Sequence, residues 1–85
     1  MGGHKMNLYI LSQDVNNEYD TYDYLLVCAA SELDALTMPM SHRCLNYSMP
    51  LDRSNWCDIK DVKIQKIGKA DLGLERGFIF ASYFN

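Results

Sequence analysis

The chain has 85 residues, of which 48% are hydrophobic and 22% are charged, and its formal net charge is −3 at pH 7. These values are typical of a small soluble globular domain and exclude a disordered chain. No apolar run approaches the ~20 residues of a membrane-spanning helix, so no membrane partner is expected. We predict one domain over residues 6–85, with residues 1–5 as a cloning remnant or a flexible leader.

Acidic and basic residues are distributed unevenly along the chain. Residues 6–40 contain six carboxylates and no Lys or Arg, whereas residues 41–85 contain five acidic and seven basic side chains. The acidic half would repel phosphate groups, so nucleic acid is not an expected partner. A protein with a basic surface suits this half better.

Two strands are predicted in the first third of the chain. Residues 6–12 alternate in polarity, which favours a strand. Residues 23–30 contain an apolar run that is too short for a buried helix and indicates a strand covered on both faces. Leu26 lies in the middle of this run, so Leu26→Asp is expected to abolish folding.

A short helix is predicted after the second strand, over residues 32–38. Ser31 can accept a hydrogen bond from the amide of Asp34, and the carboxylate of Asp34 can reach back to the preceding chain, which is a capping-box arrangement. Leu33 and Leu36 are expected to dock the helix on one face of the sheet.

The segment of residues 40–60 shows no sustained period, and Trp56 is expected to pin it to the core. A third strand is predicted over residues 61–67. Its alternation slips because Lys66 precedes Ile67, and a bulge near Gln65 or Lys66 would return Ile67 to the core.

The last predicted strand covers residues 77–84, with Phe78 and Phe80 on one face, and its apolar character places it inside the sheet. The order strand, strand, helix, strand, strand predicts an α+β fold with a four-stranded, mainly antiparallel sheet and one short helix on one face. The strands of each consecutive pair are expected to form hairpins.

Residues 12–23 read Ser-Gln-Asp-Val-Asn-Asn-Glu-Tyr-Asp-Thr-Tyr-Asp. The Asp-Thr-Tyr-Asp run at residues 20–23 is the most distinctive part of a resemblance that covers about half of the chain. The chain resembles a group of small uncharacterised proteins of bacteriophages and prophages. The resemblance rests on three stretches: residues 8–23, Trp56 with residues 61–68, and residues 77–82. It implies a small protein that binds a host or phage protein, and some such proteins block host defence systems.

The polar connection between the first two strands is the predicted contact surface, because tyrosines and carboxylates alternate in it. We interpret the chain as a non-enzymatic protein-binding module in which the Tyr rings anchor a partner and the carboxylates steer a basic one. The alternative is that the rings pack down and anchor the loop. The predicted contact residues are Asp14, Glu18, Tyr19, Asp20, Tyr22 and Asp23.

Two other functions stay open. His42, Cys44 and Cys57 could contribute to a metal-binding or catalytic site in residues 41–58, but their spacing matches no standard zinc motif, and no cofactor is predicted. A structural homo-oligomer, such as a homodimer, is the other alternative. Three cysteines without a secretory signal favour free thiols and a cytoplasmic location, in the bacterial host if the protein is phage-encoded.

Overall fold

The computed structural model describes residues 5–17, 21–43, 49–71 and 73–83. The predicted element order and the α+β class are confirmed. The strands and the helix are β1 (Asn7–Ser12), β2 (Tyr22–Ala29), α1 (Glu32–Thr37), β3 (Lys63–Lys69) and β4 (Gly77–Tyr83), with short 3-10 turns at Met38–Met40 and Ile59–Asp61. No helix in these ranges is long and apolar enough to cross a membrane.

The four strands form one antiparallel sheet in the order β3-β1-β2-β4. The predicted β1–β2 hairpin is confirmed. The predicted β3–β4 hairpin is wrong, and so is the placement of β4 inside the sheet, because β3 and β4 lie at opposite edges. The connection between them must therefore cross the end of the sheet, where the amide of Ala70 donates to the carbonyl of Met6 at 3.0 Å.

Strand β2 has one buried face and one open face. Leu25, Val27 and Ala29 are fully buried on the core face. Tyr24 lies on the other face and is 53% exposed. Cys28, at the other end of the same face, is fully buried, with its Sγ 4.0 Å from the Leu74 carbonyl oxygen. The prediction that this strand is covered on both faces is therefore wrong around Tyr24, although it holds at Cys28.

A bulge in β3 falls at Ile67, since Lys66 pairs with Tyr9 and Gly68 pairs with the preceding Leu8. A bulge is therefore present in this strand, at Ile67 itself and not at the predicted position near Gln65 or Lys66. Ile67 remains 45% exposed, however, so the prediction that the bulge returns it to the core is wrong.

A second bulge lies in β4 at Ile79, because Phe78 pairs with Val27 and Phe80 pairs with the preceding Leu26. One extra residue inverts the alternation of side chains. Phe78 therefore packs against the core, whereas Phe80 lies on the opposite face and is 59% exposed. The prediction that the two rings share a face is wrong for this reason.

Helix α1 begins with the predicted capping box. Ser31 Oγ accepts from the Asp34 amide at 3.1 Å, and Asp34 Oδ2 accepts from the Ala30 amide at 3.0 Å. Ala35 and Leu36 pack toward the core, but Leu33 is 69% exposed, so its predicted docking role is wrong. With only six residues, the helix buries a narrow stripe that excludes Leu33.

Trp56 is almost fully buried and joins the core cluster with Leu51, which confirms its predicted role. The surrounding backbone is tied to the rest of the fold: Leu51 donates to the Pro39 carbonyl at 2.8 Å, and Tyr22 donates to the Asn55 carbonyl at 3.0 Å. The irregular segment before β3 thus completes the layer that α1 begins.

Candidate functional site

The connection between β1 and β2 holds the predicted contact residues, and the structure separates them. Asp14 is exposed and Asp23 is half-buried. Tyr22 is fully buried in the core cluster, so its ring is not accessible to a partner, and the alternative that it anchors the loop describes its position. The other three predicted contact residues, Glu18, Tyr19 and Asp20, lie outside the described residues.

Gln13 fixes the base of this connection. Its side chain is 4% exposed, and Nε2 donates to the carbonyls of Asn16 at 2.8 Å and Tyr22 at 2.7 Å, while Oε1 accepts from the Asn16 amide at 2.9 Å. A buried amide needs such partners. The Gln13 amide also donates to the Asp23 carbonyl at 3.1 Å, so the β1–β2 ladder continues into the loop.

Asn16 joins the same loop to the segment around Trp56 through hydrogen bonds. Its Nδ2 donates to the carbonyls of Arg53 and Trp56, each at 2.8 Å. Neither Gln13 nor Asn16 was predicted from the sequence as a contact residue. Their sequence signal is that both are amide side chains in the polar connection after β1, where side-chain to backbone hydrogen bonds are common.

These hydrogen bonds place two carboxylates in one depression of about 270 Å³, which we call the carboxylate pocket. It is lined by Ser12, Gln13, Asp14, Asp23, Tyr24 and Lys63. Asp23 Oδ1 is buried and has no hydrogen-bond partner among the described residues. Neither Asp14 nor Asp23 forms an ion pair with Lys63 in this part of the chain.

An unsatisfied carboxylate oxygen has a chemical consequence. Burying a charged acceptor without a donor costs free energy, which a donor from another molecule would recover. The pocket is therefore suited to a cationic group that carries several N–H donors.

The side of the sheet that faces away from α1 continues from this pocket. Register places Ile10, Leu26 and Phe80 in one row across three strands, beside a row that contains Tyr24. We call the side chains of Ile10, Tyr24, Leu26 and Phe80 the open sheet face. A second depression of about 340 Å³ includes Ile10 and shares Ser12, Tyr24 and Lys63 with the carboxylate pocket, so the two surfaces are continuous.

The candidate metal or catalytic residues are engaged elsewhere. His42 has Nδ1 at 2.8 Å from Ser41 Oγ and Nε2 at 2.8 Å from Arg76 Nη1. Cys57 is buried, and burial together with the carboxylates of Asp61 and Asp58 raises its pKa to about 11. A thiol that stays protonated is a poor nucleophile and a poor metal ligand.

Cys44 lies outside the described residues. Elsewhere in the described ranges no group of three His, Cys, Asp or Glu side chains is placed to hold a metal ion. Cys28 is a buried free thiol, as expected for a small core residue.

Arg76 forms a polar cluster that the sequence analysis missed. Its Nε donates to Asp34 Oδ2 at 2.8 Å, and its Nη2 donates to Asp34 Oδ1. The hydrogen bonds from Arg76 hold the pKa of Asp34 below its usual value. The pair joins the chain that leads into β4 to the start of α1, so we assign it a structural role. The two residues lie far apart in the sequence, and no local pattern could indicate their contact.

Comparison of the chain with protein-family models, with curated proteins and with solved structures finds no match. The resemblance to small phage proteins therefore stays a prediction.

Proposed function

We propose that the protein is a non-enzymatic protein-binding module that receives a basic side chain of its partner in the carboxylate pocket. The observation that carries this proposal is the buried Asp23 Oδ1, which lacks a hydrogen-bond donor among the described residues. The exposed carboxylate of Asp14 lines the same pocket and adds a second negative charge. Asp23 as a residue is only half-buried, so we expect a donor from the partner to reach its carboxylate.

An arginine side chain fits the pocket better than a lysine. A guanidinium has five N–H donors in a planar fork and can serve two carboxylates at once, whereas an ammonium acts as a compact point charge. Tyr24 lines the pocket with a ring that is 53% exposed, and such a ring attracts a nearby cation. Asp14 and Asp23 thus supply charge, and Tyr24 supplies the aromatic contact.

The open sheet face extends this contact surface with apolar area. Leu26 and Ile10 lie directly beside the Tyr24 row in the sheet. An apolar patch rimmed by charged groups is typical of surfaces that bind other proteins. In the phage setting that the resemblance implies, the partner would be a basic host protein, such as a component of a defence system, in the bacterial cytoplasm.

A titration with a short arginine-containing peptide, followed by NMR, tests the pocket without knowledge of the partner. We expect amide shifts for Asp14, Asp23 and Tyr24, and a weaker response to the same peptide with lysine in place of arginine. Asp23→Asn should reduce the shifts. Shifts spread evenly over the exposed acidic residues, or unchanged in this variant, would contradict the proposal.

Affinity capture from a bacterial lysate, with matched variants, tests the protein partner. A specific partner should bind the wild-type protein and Leu33→Ala, which removes a side chain that is 69% exposed on α1, away from the pocket. Binding should be lost with Tyr24→Ala and with Asp23→Asn. Equal capture by all variants would show that the contact surface lies elsewhere.

A further inference from the structure

The two edges of the sheet differ in charge. Strand β3 carries three exposed lysines, Lys63, Lys66 and Lys69, together with a bulge. Strand β4 has the sequence Gly-Phe-Ile-Phe-Ala-Ser-Tyr, without a charged residue. Lysines and bulges on edge strands prevent pairing with other chains, so the β3 edge is protected and the β4 edge is not. Within the described residues, β4 pairs with β2 alone.

We propose that β4 pairs with β4 of a second copy of this chain, antiparallel and about a two-fold axis. The two sheets, each of four strands, would then become one continuous sheet with four strands from each copy. This dimer uses the edge of the sheet and does not depend on the proposed function of the carboxylate pocket.

The bulge at Ile79 fixes the register of this pairing. After the bulge, Phe80 and Ser82 lie on the open side, because they pair with Leu26 and Tyr24, whereas Ala81 lies on the core side. Residues that are directly opposite in a sheet must share a face. An axis at Ala81 satisfies this condition, since each Phe80 then lies opposite Ser82 of the other copy.

A second axis position fails the same condition. An axis at Phe80 would place Phe78, which packs against the core, opposite Ser82 on the open side. An axis at Ser82 would pair Phe80 with residue 84, which lies outside the described residues. We therefore centre the proposed dimer on Ala81, where described residues lie opposite each other. In it, the ring of Phe80 is covered by the neighbouring copy, and the two open sheet faces become one apolar surface.

A second copy of the chain is the proposed partner for two reasons. The paired strands carry no like charges, and the pairing gives a closed dimer instead of a filament. Pairing β4 with itself brings no like charges together, because the strand has none. Pairing β3 with itself would bring the lysines of both copies to one interface, and pairing β3 with β4 would be head-to-tail and would continue into a filament. Among the described strands, the symmetric pairing through β4 gives a closed dimer and brings no charged side chains together.

Sedimentation equilibrium of the full chain tests the dimer. Phe80→Lys places a charge on the proposed edge, at a side chain that is already 59% exposed, and should raise the dimer dissociation constant at least ~10-fold. Ile67→Lys adds the same charge to the β3 edge, at a side chain that is 45% exposed, and should leave dimerisation unchanged. Circular dichroism melts confirm that both variants fold.

Three results of this experiment would overturn the proposal. They are a wild-type protein that stays monomeric at millimolar concentration, a dimer that Phe80→Lys does not weaken, and a dimer that Ile67→Lys weakens as strongly. Asp23→Asn should leave dimerisation unchanged, so failure of the pocket proposal and failure of the dimer proposal can be told apart.

Cysteine cross-linking tests the register. In the proposed dimer the two Ala81 Cβ atoms lie about 4.5–5.5 Å apart, so Ala81→Cys should form a covalent dimer under mild oxidation. Gln65→Cys, at an exposed position on β3, should not. The wild-type chain measures the background from its native thiols. Cross-linking of Gln65→Cys instead of Ala81→Cys would refute pairing through β4.

Discussion

The two faces of the sheet carry similar side chains but have different neighbours. On the core face, Leu11, Leu25 and Val27 are fully buried beneath a layer that contains Trp56. On the open sheet face, Tyr24 and Phe80 remain 53% and 59% exposed, and Ile10 and Leu26 are half-buried. Hydrophobicity alone therefore does not decide burial, because among the described residues the layer that contains α1 and Trp56 covers only the core face. Exposed apolar side chains contribute little to the stability of the isolated chain, which leaves the open face for contacts with other molecules.

The largest expected difference in stability is between two variants of β2. Each places one charge in the strand, at adjacent positions that lie on opposite faces of the sheet. Leu25→Asp buries a carboxylate in the core and should cost more than ~4 kcal/mol, which unfolds a domain of this size. Leu26→Asp lies on the open face, next to Phe80, and should cost about 1–2 kcal/mol and leave a cooperative transition. Urea denaturation of both variants measures the difference.

The same pair of variants distinguishes the structure from the sequence prediction. The unbroken apolar run from Tyr24 to Ala29 predicts that Leu26 is critical, since a strand covered on both faces tolerates a charge at neither position. Equal loss of folding in Leu25→Asp and Leu26→Asp would show that the open face is covered in solution.

The sequence predicted the elements better than their placement. Alternation, the capping box at Ser31 and the apolar run of β2 are local patterns, and they gave the correct order and class. Strand order depends on contacts between distant segments, such as Arg76 with Asp34, which no local pattern encodes. The extra residue at Ile79 inverts the faces of β4, and bulges carry little sequence signal.

The candidate site was predicted in part for the same reason. Asp14 and Asp23 were found because carboxylates in a polar connection are visible in the sequence, and they do line one pocket. Tyr22 resembles an interface residue in composition, but the register between β2 and β4 shifts between Tyr22 and Tyr24. This irregularity breaks the alternation and places Tyr22 in the core instead of on the face of Tyr24. Tyr24 was predicted from the sequence only as a residue of the sheet. Its contact role is indicated by its exposed position in the structure.

A second, smaller effect is expected at the base of the loop that supports the pocket. Gln13→Ala leaves the Asn16 amide and the Tyr22 carbonyl without their side-chain partner and should cost about 2–3 kcal/mol. Gln65→Ala removes an exposed amide from β3 and should change the free energy of unfolding by less than ~0.5 kcal/mol. Chemical denaturation compares the two. Equal losses of stability in the two variants would show that the hydrogen bonds of Gln13 do not order the β1–β2 connection.

A third effect depends on pH and involves the link between α1 and the chain that precedes β4. Asp34 has a pKa below its unfolded value because Arg76 donates to it. Its contribution to stability is therefore fully present above the unfolded pKa and is lost as the pH falls through the lower folded pKa. Arg76→Gln should cost up to about 1 kcal/mol at neutral pH, and this difference from wild type should shrink below about pH 4.

A matched control exists for this ion pair. Arg53 pairs with Asp58 at 2.9 Å, but its side chain is 80% exposed, so Arg53→Gln should have no measurable effect at either pH. Urea denaturation at neutral and acid pH measures both variants. A pH-independent loss in Arg76→Gln would mean that packing of its side chain matters more than its charge.

The smallest effect on stability is expected at the pocket itself, and it sharpens the contrast between the faces. Asp23 holds a buried oxygen without a donor among the described residues, so its charge does not stabilise the isolated fold. Asp23→Asn should leave the free energy of unfolding within about 0.5 kcal/mol of wild type or raise it slightly, because a neutral amide costs less to bury than a carboxylate. The same substitution should reduce the response to an arginine-containing peptide. A core polar group shows the opposite behaviour, since its removal reduces stability directly, as expected for Gln13. Substantial destabilisation by Asp23→Asn would therefore place this carboxylate among the structural groups and remove the main support for a binding role.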